Sequence, residues 1–250
     1  MSFSKAHIGC SGFSYSHWKG LFYPSSLKQG QWFSYYQRHF DTVEINLTFY
    51  RLPKKEHFEK WFRHSPEGFV FSAKGSRFIT HIKRLNVEKK SVDMFFERVS
   101  SLREKLAVVL WQFPPDFKKD IVRLERFLNM IVERGVKNTF EFRHPSWIAP
   151  EVEELLRQHR ASFCMADWPE FNRKLPVTSD FVYIRRHGKG GSYSSCYTDE
   201  ELRKDAETIK EYLKEGLEVF IYFNNDYNAY APKNALTLKD ILSSGNLDKD

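Results

Sequence analysis

The chain has 250 residues, 41% hydrophobic and 16% aromatic, with 23 Phe. This is enough for one large α/β domain or two small ones, and it excludes a disordered or fibrous chain. A formal charge of +7 favours anionic partners such as nucleic acid, phosphorylated metabolites or acidic surfaces, although a basic solvated exterior gives the same value.

Three distant cysteines, Cys10, Cys164 and Cys196, exclude a fully paired disulfide framework and fit a reducing compartment. Met1–Lys5 has no signal-peptide core and no apolar run is long enough to span a bilayer, so a cytoplasmic protein without a membrane partner is expected.

In chain order, His7–Cys10 reads as a short strand, followed by a loop rich in aromatics from Phe13 to Tyr23. Trp32, Phe33, Tyr36 and Phe40 recur at helical spacing. Thr42–Asn46 alternates, with Val43 and Ile45 on one face and Glu44 and Asn46 on the other. A helix carrying Phe58, Trp61 and Phe62 follows Pro53, and Phe69–Lys74 is a third strand. A loop over Ser76–Ile82 precedes a helix marked by Val92, Phe95, Phe96, Val99 and Leu102. Leu106–Gln112 is an almost continuous apolar run, as expected of a parallel strand buried on both faces. A helix begins at Asp120 and is stopped by Gly135.

The fifth strand ends in Thr139-Phe140-Glu141-Phe142-Arg143-His144-Pro145, and the alternation puts Glu141 and Arg143 on one face. Pro145 cannot extend the ladder, so the strand is predicted to stop there with Arg143 and His144 at its mouth. A helix over Pro150–His159 leads to the strand Ser162–Ala166. The connection up to Ser179 contains Pro169 and Pro176 and is too short and broken for a full helix. Phe181–Arg185 is the seventh strand, Asp199–Lys214 a helix, Glu218–Phe223 the eighth strand, and a last helix runs from about Asn234 to Leu242.

Strands and helices in this alternation predict a single domain over 1–250, with a core at about 6–242. Its fold is a (β/α)₈ TIM barrel of the α/β class, with the helix after strand 6 reduced or missing.

Several motifs then resemble a known family: Cys10-Ser11-Gly12-Phe13-Ser14-Tyr15, Phe22-Tyr23-Pro24, Glu44-Ile45-Asn46-x-Thr48-Phe49-Tyr50, Thr80-His81, Gln112-x-Pro114-Pro115, Glu141-Phe142-Arg143-His144-Pro145-Ser146-Trp147, Arg185-x-His187-Gly188 and Tyr222-Phe223-Asn224-Asn225. Together they resemble domain-of-unknown-function family 72, the YecE-like proteins. The resemblance implies a TIM barrel and transfers no reaction.

In such barrels active sites sit at the C-terminal strand ends. The catalytic candidates are Glu44, Glu141, His144, Asp167 and His187, with a Glu as base and a His as proton carrier. Asn46, Lys74, Gln112, Arg143, Trp147, Arg185, Tyr222, Asn224 and Asn225 are the substrate-binding candidates. Lys74, Arg143 and Arg185 would hold a phosphate or carboxylate. Gly188, Lys189, Gly190, Gly191 and Ser192 form a loop whose backbone N–H groups could cradle phosphate.

The expected activity is that of a hydrolase or lyase on a phosphorylated or acidic small molecule. The alternatives are a nucleic-acid-binding or repair protein resembling metal-dependent TIM-barrel endonucleases, and a non-catalytic binding protein. The carboxylates and histidines suit a divalent metal, but three cations would crowd it, so no metal residue and no cofactor are assigned. Replacing Glu141 or Arg185 is expected to abolish binding while sparing the fold.

Overall fold

The computed structural model describes residues 5–168 and 175–244. Eight parallel strands, β1 (Ala6–Ser11), β2 (Thr42–Ile45), β3 (Val70–Lys74), β4 (Leu106–Gln112), β5 (Lys137–Glu141), β6 (Ser162–Ala166), β7 (Phe181–Arg186) and β8 (Glu218–Phe223), form a closed barrel in chain order. The helices are α1 (Trp32–Tyr36), α2 (Leu47–Tyr50), α3 (Lys55–His64), α4 (Lys89–Val99), α5 (Ile121–Ile131), α6 (Pro150–Gln158), α7 (Asp199–Lys214) and α8 (Tyr230–Ser244). Eight parallel strands closed on themselves and wrapped by helices make this a TIM barrel.

The aromatic content goes mainly into the layer between barrel and helices. Trp111 on β4 packs against Phe95 and Phe127 of α4 and α5, with ring centroids 5.3 and 4.8 Å away. A smaller cluster, including Leu110, Cys164, Tyr183, Phe220 and Tyr222, fills the barrel itself. Local signals agree with these positions. Asp120 accepts the Arg123 N–H at 3.0 Å to cap α5, and Gly135 takes the left-handed conformation after it (φ 66°). Thr198 and Glu201 cap α7 reciprocally.

Two features fix the strand ends that matter below. Gly75, directly after β3, lies so close to Trp111 that a Cβ there would come within 2.2 Å of the indole. The Thr48 hydroxyl lies 2.6 Å from the Lys74 carbonyl oxygen and 2.9 Å from that of Ile45, joining the ends of β2 and β3. At the β1–β2 seam, where only Cys10–Val43 and Ser11–Glu44 pair, the Tyr36 hydroxyl of α1 takes the place of a ladder bond. It accepts the Cys10 N–H at 2.8 Å and donates to the Thr42 carbonyl at 3.0 Å.

Four boundaries differ from the sequence expectation. β5 stops at Glu141, four residues before Pro145, because its pairing ends at Phe140 on the β6 side and at Glu141, opposite Gln112, on the β4 side. The predicted loop over 76–82 contains a π-helical turn, Phe78–Ile82. The helix begun by Trp32 is a single turn and a half, and α8 starts at Tyr230 rather than near Asn234. Between β6 and β7, residues 167–168 and 175–180 are non-helical. The rest of that connection, where the missing helix was expected, lies outside the described residues.

Candidate active site

The last inward positions of the strands carry a connected polar layer. Arg185 of β7 is fully buried and bridges two carboxylates: Nη1 donates to Glu141 Oε2 of β5 at 2.6 Å, and Nη2 donates to Glu44 Oε1 of β2 at 2.8 Å. Glu44 also accepts from the Ser11 hydroxyl at 2.6 Å and the Tyr183 hydroxyl at 2.6 Å. Glu141 Oε1 accepts from Arg143 Nε at 2.8 Å and Gln112 Nε2 at 3.1 Å.

Taking each ion out of water costs several kcal/mol, and this dense hydrogen bonding offsets that cost. Burial alone would push both carboxyls up. For Glu44, Arg185 and the Ser11 and Tyr183 hydroxyls outweigh it and hold the group below its usual range. For Glu141, Arg143, Arg185 and His187 hold it well below.

His187 is fully buried beside this layer, its Nε2 3.5 Å from Glu141 Oε1. Asn224 Nδ2 lies 3.0 Å from His187 Nδ1. With that amide donating, Nδ1 accepts and Nε2 carries the proton towards Glu141, leaving the 3.4 Å approach of Arg185 Nη1 as a contact rather than a hydrogen bond. Burial and then Arg185 lower the imidazole pKa against the pull of Glu141, favouring the neutral ring.

Lys74 differs from the two arginines. It is 8% exposed, its Nζ sits 4.2 Å from the Phe49 ring centroid, and among the described residues no acid lies within ion-pair distance. Burial, then Arg185, bring its amine from 10.5 down to about 7 against Glu141 and Glu44.

Alongside, a groove of about 350 Å³ opens over Glu44, lined by Phe13, Tyr15, Asn46, Leu47, Tyr50 and Trp61. Asn46 Oδ1 is buried without a hydrogen-bond partner among the described residues. Glu44, Lys74, Gln112, Glu141, Arg143, Arg185, His187 and Asn224 are thus brought together, with Asn46 at the margin.

The remaining candidates are placed elsewhere. Trp147 is fully buried, stacked on Phe142 at 4.8 Å, with its indole N–H donating to the Phe117 carbonyl at 2.6 Å; it is a core residue between barrel and helices. His144 caps the turn Pro145–Trp147, its Nδ1 accepting the Ser146 N–H at 3.2 Å, so its side chain is turned to that segment and not to Glu141.

Asp167 follows inward Ala166 and so faces the outer side. It accepts the His187 N–H at 2.7 Å and the Tyr197 hydroxyl, and it lines a separate cavity of about 330 Å³ with Arg186, Lys189 and Gly190. The Tyr222 hydroxyl is buried deeper in the barrel, 2.6 Å from Thr42 Oγ1 and 2.9 Å from Ser72 Oγ. Asn225 ties Ser195 to Asn234, donating to both at 2.8 and 2.9 Å.

In the glycine loop three of the five backbone N–H groups expected to cradle phosphate are already bonded within the protein. The Gly188 N–H donates to the Tyr197 hydroxyl at 2.7 Å, that of Lys189 to Ser195 Oγ, and that of Gly191 to the Gly188 carbonyl at 2.8 Å. The Ser192 hydroxyl lies 3.5 Å from the Ser194 N–H. A Cβ at Gly191 would come within 2.9 Å of Trp168, so this glycine is needed for packing. Trp168 in turn stacks under the Arg143 guanidinium at 4.4 Å.

Two participants, Tyr183 and Phe49, were missed in sequence. Tyr183 lies two residues before Arg185 and shares its inward face, a signal that period-2 alternation carries. Phe49 comes from the short helix α2, past the end of the β2 ladder, and carries no such signal. From the loop after β7, the Tyr193 hydroxyl receives Arg143 Nη2 at 3.2 Å.

Among the described residues no three His, Cys, Asp or Glu side chains converge as metal ligands would. The Arg185 guanidinium stands between the two buried carboxylates, so this donor set does not fit a divalent ion. Among the described residues no helix is long and apolar enough to cross a membrane.

Comparison with known proteins places the chain. It is 28% identical over 259 residues to the UPF0759 protein YunF of Bacillus subtilis strain 168, covering 89% of this chain and 92% of that protein. It is 31% identical over 152 residues to the UPF0759 protein YecE of Escherichia coli K12, covering 59% and 52%. The crystal structure of a DUF72 family protein from Thermotoga maritima is similar with a TM-score of 0.83 and 32% identity, covering 95% and 99%. One from Enterococcus faecalis V583 shares the fold with a TM-score of 0.82 at 22% identity, covering 98% and 97%. The family model described as protein of unknown function DUF72 matches residues 7–249, and this chain is a member of that family.

Proposed function

We propose that the protein is an enzyme, a hydrolase or lyase, acting on a small phosphorylated or carboxylate-bearing molecule at the C-terminal mouth of the barrel. The observation that carries this reading is the arrangement of charge. Glu44 and Glu141 are matched by Arg185 and Arg143, and Lys74 remains without an ion-pair partner among the described residues.

An anionic ligand group would be held by Lys74 and the outer edge of Arg143, and a ligand donor would satisfy Asn46 Oδ1. Glu141 is the general base, kept ionised by its partners, and the proton on His187 Nε2 faces that carboxylate and steadies its charge. Glu44, enclosed by Ser11, Tyr183 and Arg185, acts as a fixed charge.

A second reading rests on Tyr50, Phe78 and Tyr227, exposed by 69%, 41% and 58% on the loops around the same mouth. Lys83 Nζ lies 5.7 Å from the Phe78 ring centroid. Exposed rings beside cations suit stacked bases of a nucleic acid.

Thermal unfolding with inorganic phosphate, 3-phosphoglycerate and pyruvate, beside binding of short single- and double-stranded DNA at several salt concentrations, separates the two. Stabilisation of the wild type by a small anion, lost in Lys74→Met, supports the enzyme. No response to any small anion, with DNA affinity falling steeply with salt, overturns it in favour of the nucleic-acid reading.

A further inference from the structure

We infer that Lys74 is a nucleophilic amine that forms an imine with the carbonyl group of an anionic aldehyde or keto acid, which makes the protein a lyase rather than a hydrolase. The class of substrate rests on the function proposed above; the nucleophile rests on the surroundings of Lys74, with its lowered pKa in support.

A lysine that only balances charge sits against a carboxylate. Lys74 does not, because the carboxylates across the barrel are already bonded to guanidiniums: Glu44 to Arg185, and Glu141 to Arg185 and Arg143. The charged groups acting on the amine are therefore Arg185 and Arg143, which oppose its proton, and Glu141 and Glu44, which favour it. Its remaining close neighbour is the Phe49 ring at 4.2 Å. The half-buried His81 ring packs on that same Phe49 at 4.8 Å. Burial, then Lys74, Arg143 and Arg77, lower the His81 pKa to about 4.

Three positive charges against two would raise the energy of the layer, and release of one proton from Lys74 removes the excess. The free amine that results has the lowered pKa expected of imine-forming lysines, and in this step the anionic group is held by the outer edge of Arg143 rather than by Lys74. The backbone beneath the side chain is also fixed: Thr48 bonds the Lys74 carbonyl and Trp111 packs against Gly75, so the amine is carried on a rigid strand end.

In the step itself the amine lone pair forms the C–N bond while the carbonyl π electrons move to oxygen. The two amine protons leave with that oxygen as water, giving the imine. A proton from solvent converts the imine to an iminium, which accepts the electron pair of the breaking bond between the neighbouring carbon and the next one, giving an enamine. The departing carbon gives up its hydroxyl proton and leaves as a carbonyl compound, the enamine takes a proton at the neighbouring carbon, and water hydrolyses the imine to restore the Lys74 amine. Glu141 stands in the same layer to take or return the proton at the neighbouring carbon.

The test is reductive alkylation of the wild-type protein at pH 7 with limiting aldehyde and cyanoborohydride, read by peptide mass mapping. Formaldehyde is the uncharged probe and glyoxylate the anionic one. An amine titrating near 7 is about half unprotonated at pH 7, against about one in 3,000 for an ordinary lysine. We expect Lys74 to be labelled by formaldehyde roughly tenfold or more faster than exposed lysines such as Lys60 and Lys204. Glyoxylate should widen that preference. Labelling by formaldehyde without preference for glyoxylate would keep the nucleophile and overturn the anionic substrate. Lys74 labelled no faster than exposed lysines by formaldehyde overturns the inference, whatever glyoxylate does.

Discussion

Arg185 Nη1 reaches Glu141 Oε2 at 2.6 Å from two strands away, while Nη2 holds Glu44 on the opposite side of the barrel. The guanidinium is thus a cross-brace of the barrel as well as part of its site, and this bracing leads us to predict, against the sequence expectation, that changes at Glu141 and Arg185 weaken the fold. We expect Glu141→Gln to cost about 3–5 kcal/mol in urea unfolding, because Arg185 and Arg143 lose a buried partner. Arg185→Met should invert the acid response. In the wild type both carboxyls are held low, so their stabilisation is present above the unfolded pKa and lost as pH falls through the folded one. Without Arg185 burial dominates at Glu44, its pKa rises, and stability falls as pH rises from about 4 to 7. A variant as stable as the wild type at pH 7 would refute the brace.

Lys74 gives a second pH signature of defined sign. Its amine titrates at about 7 when folded and at 10.5 in a free side chain. Between these values the unfolded chain binds the extra proton, so stability drops as pH falls through the window, and the full penalty stands below about 7. Lys74→Met should therefore be more stable than the wild type by roughly 3–5 kcal/mol at pH 6.5, the difference closing by about pH 10.5. Parallel stability curves for the two proteins from pH 6.5 to 10 would contradict the assignment.

Gly75→Ala tests the strand end behind Lys74. The added methyl meets the buried Trp111 ring, a rigid neighbour that also donates to Asn138 Oδ1 at 2.9 Å. The expected loss is about 1–3 kcal/mol, read as a lower unfolding midpoint with a shifted Trp emission. An unchanged midpoint would mean that the indole yields.

Trp147 separates core from site. Trp147→Ala should cost about 3–5 kcal/mol, whereas Trp147→Phe, which keeps a ring against Phe142 and Phe113, should cost less and leave small-anion binding unaltered. Loss of binding in a well-folded Trp147→Phe protein would return this residue to the mouth.

The sequence carried the barrel and much of the polar layer because both follow from period-2 alternation. Glu44, Glu141 and Arg185 occupy last inward positions, and the apolar run of β4 has no other reading. The same rule applied to Ala166 would have turned Asp167 outward. Where the ladder ends the rule ends with it: β6 stops pairing at Phe140, so nothing in the sequence fixes where His144 and Trp147 point. The glycines at 188–191 signalled a turn correctly, but which acceptor takes each N–H depends on Tyr197 and Ser195 returning from farther along the chain. That two carboxylates face one guanidinium, rather than a ligand, is a fact of cross-barrel distance, which no single strand encodes.

The Tyr36 hydroxyl, set between Cys10 and Thr42, bears on the order of assembly. Two strands that would elsewhere zip together by themselves here share a rung donated by a helix 26 residues beyond Cys10. We therefore expect the first seam to close fully only once the aromatic loop and α1 have docked, so that strands, loop and helix open and close as one cooperative unit. In native-state hydrogen exchange the Cys10 amide reports that unit. Tyr36→Phe should raise its exchange rate well above that of Ile8, whereas equal protection in both proteins would show that the seam holds without the helix.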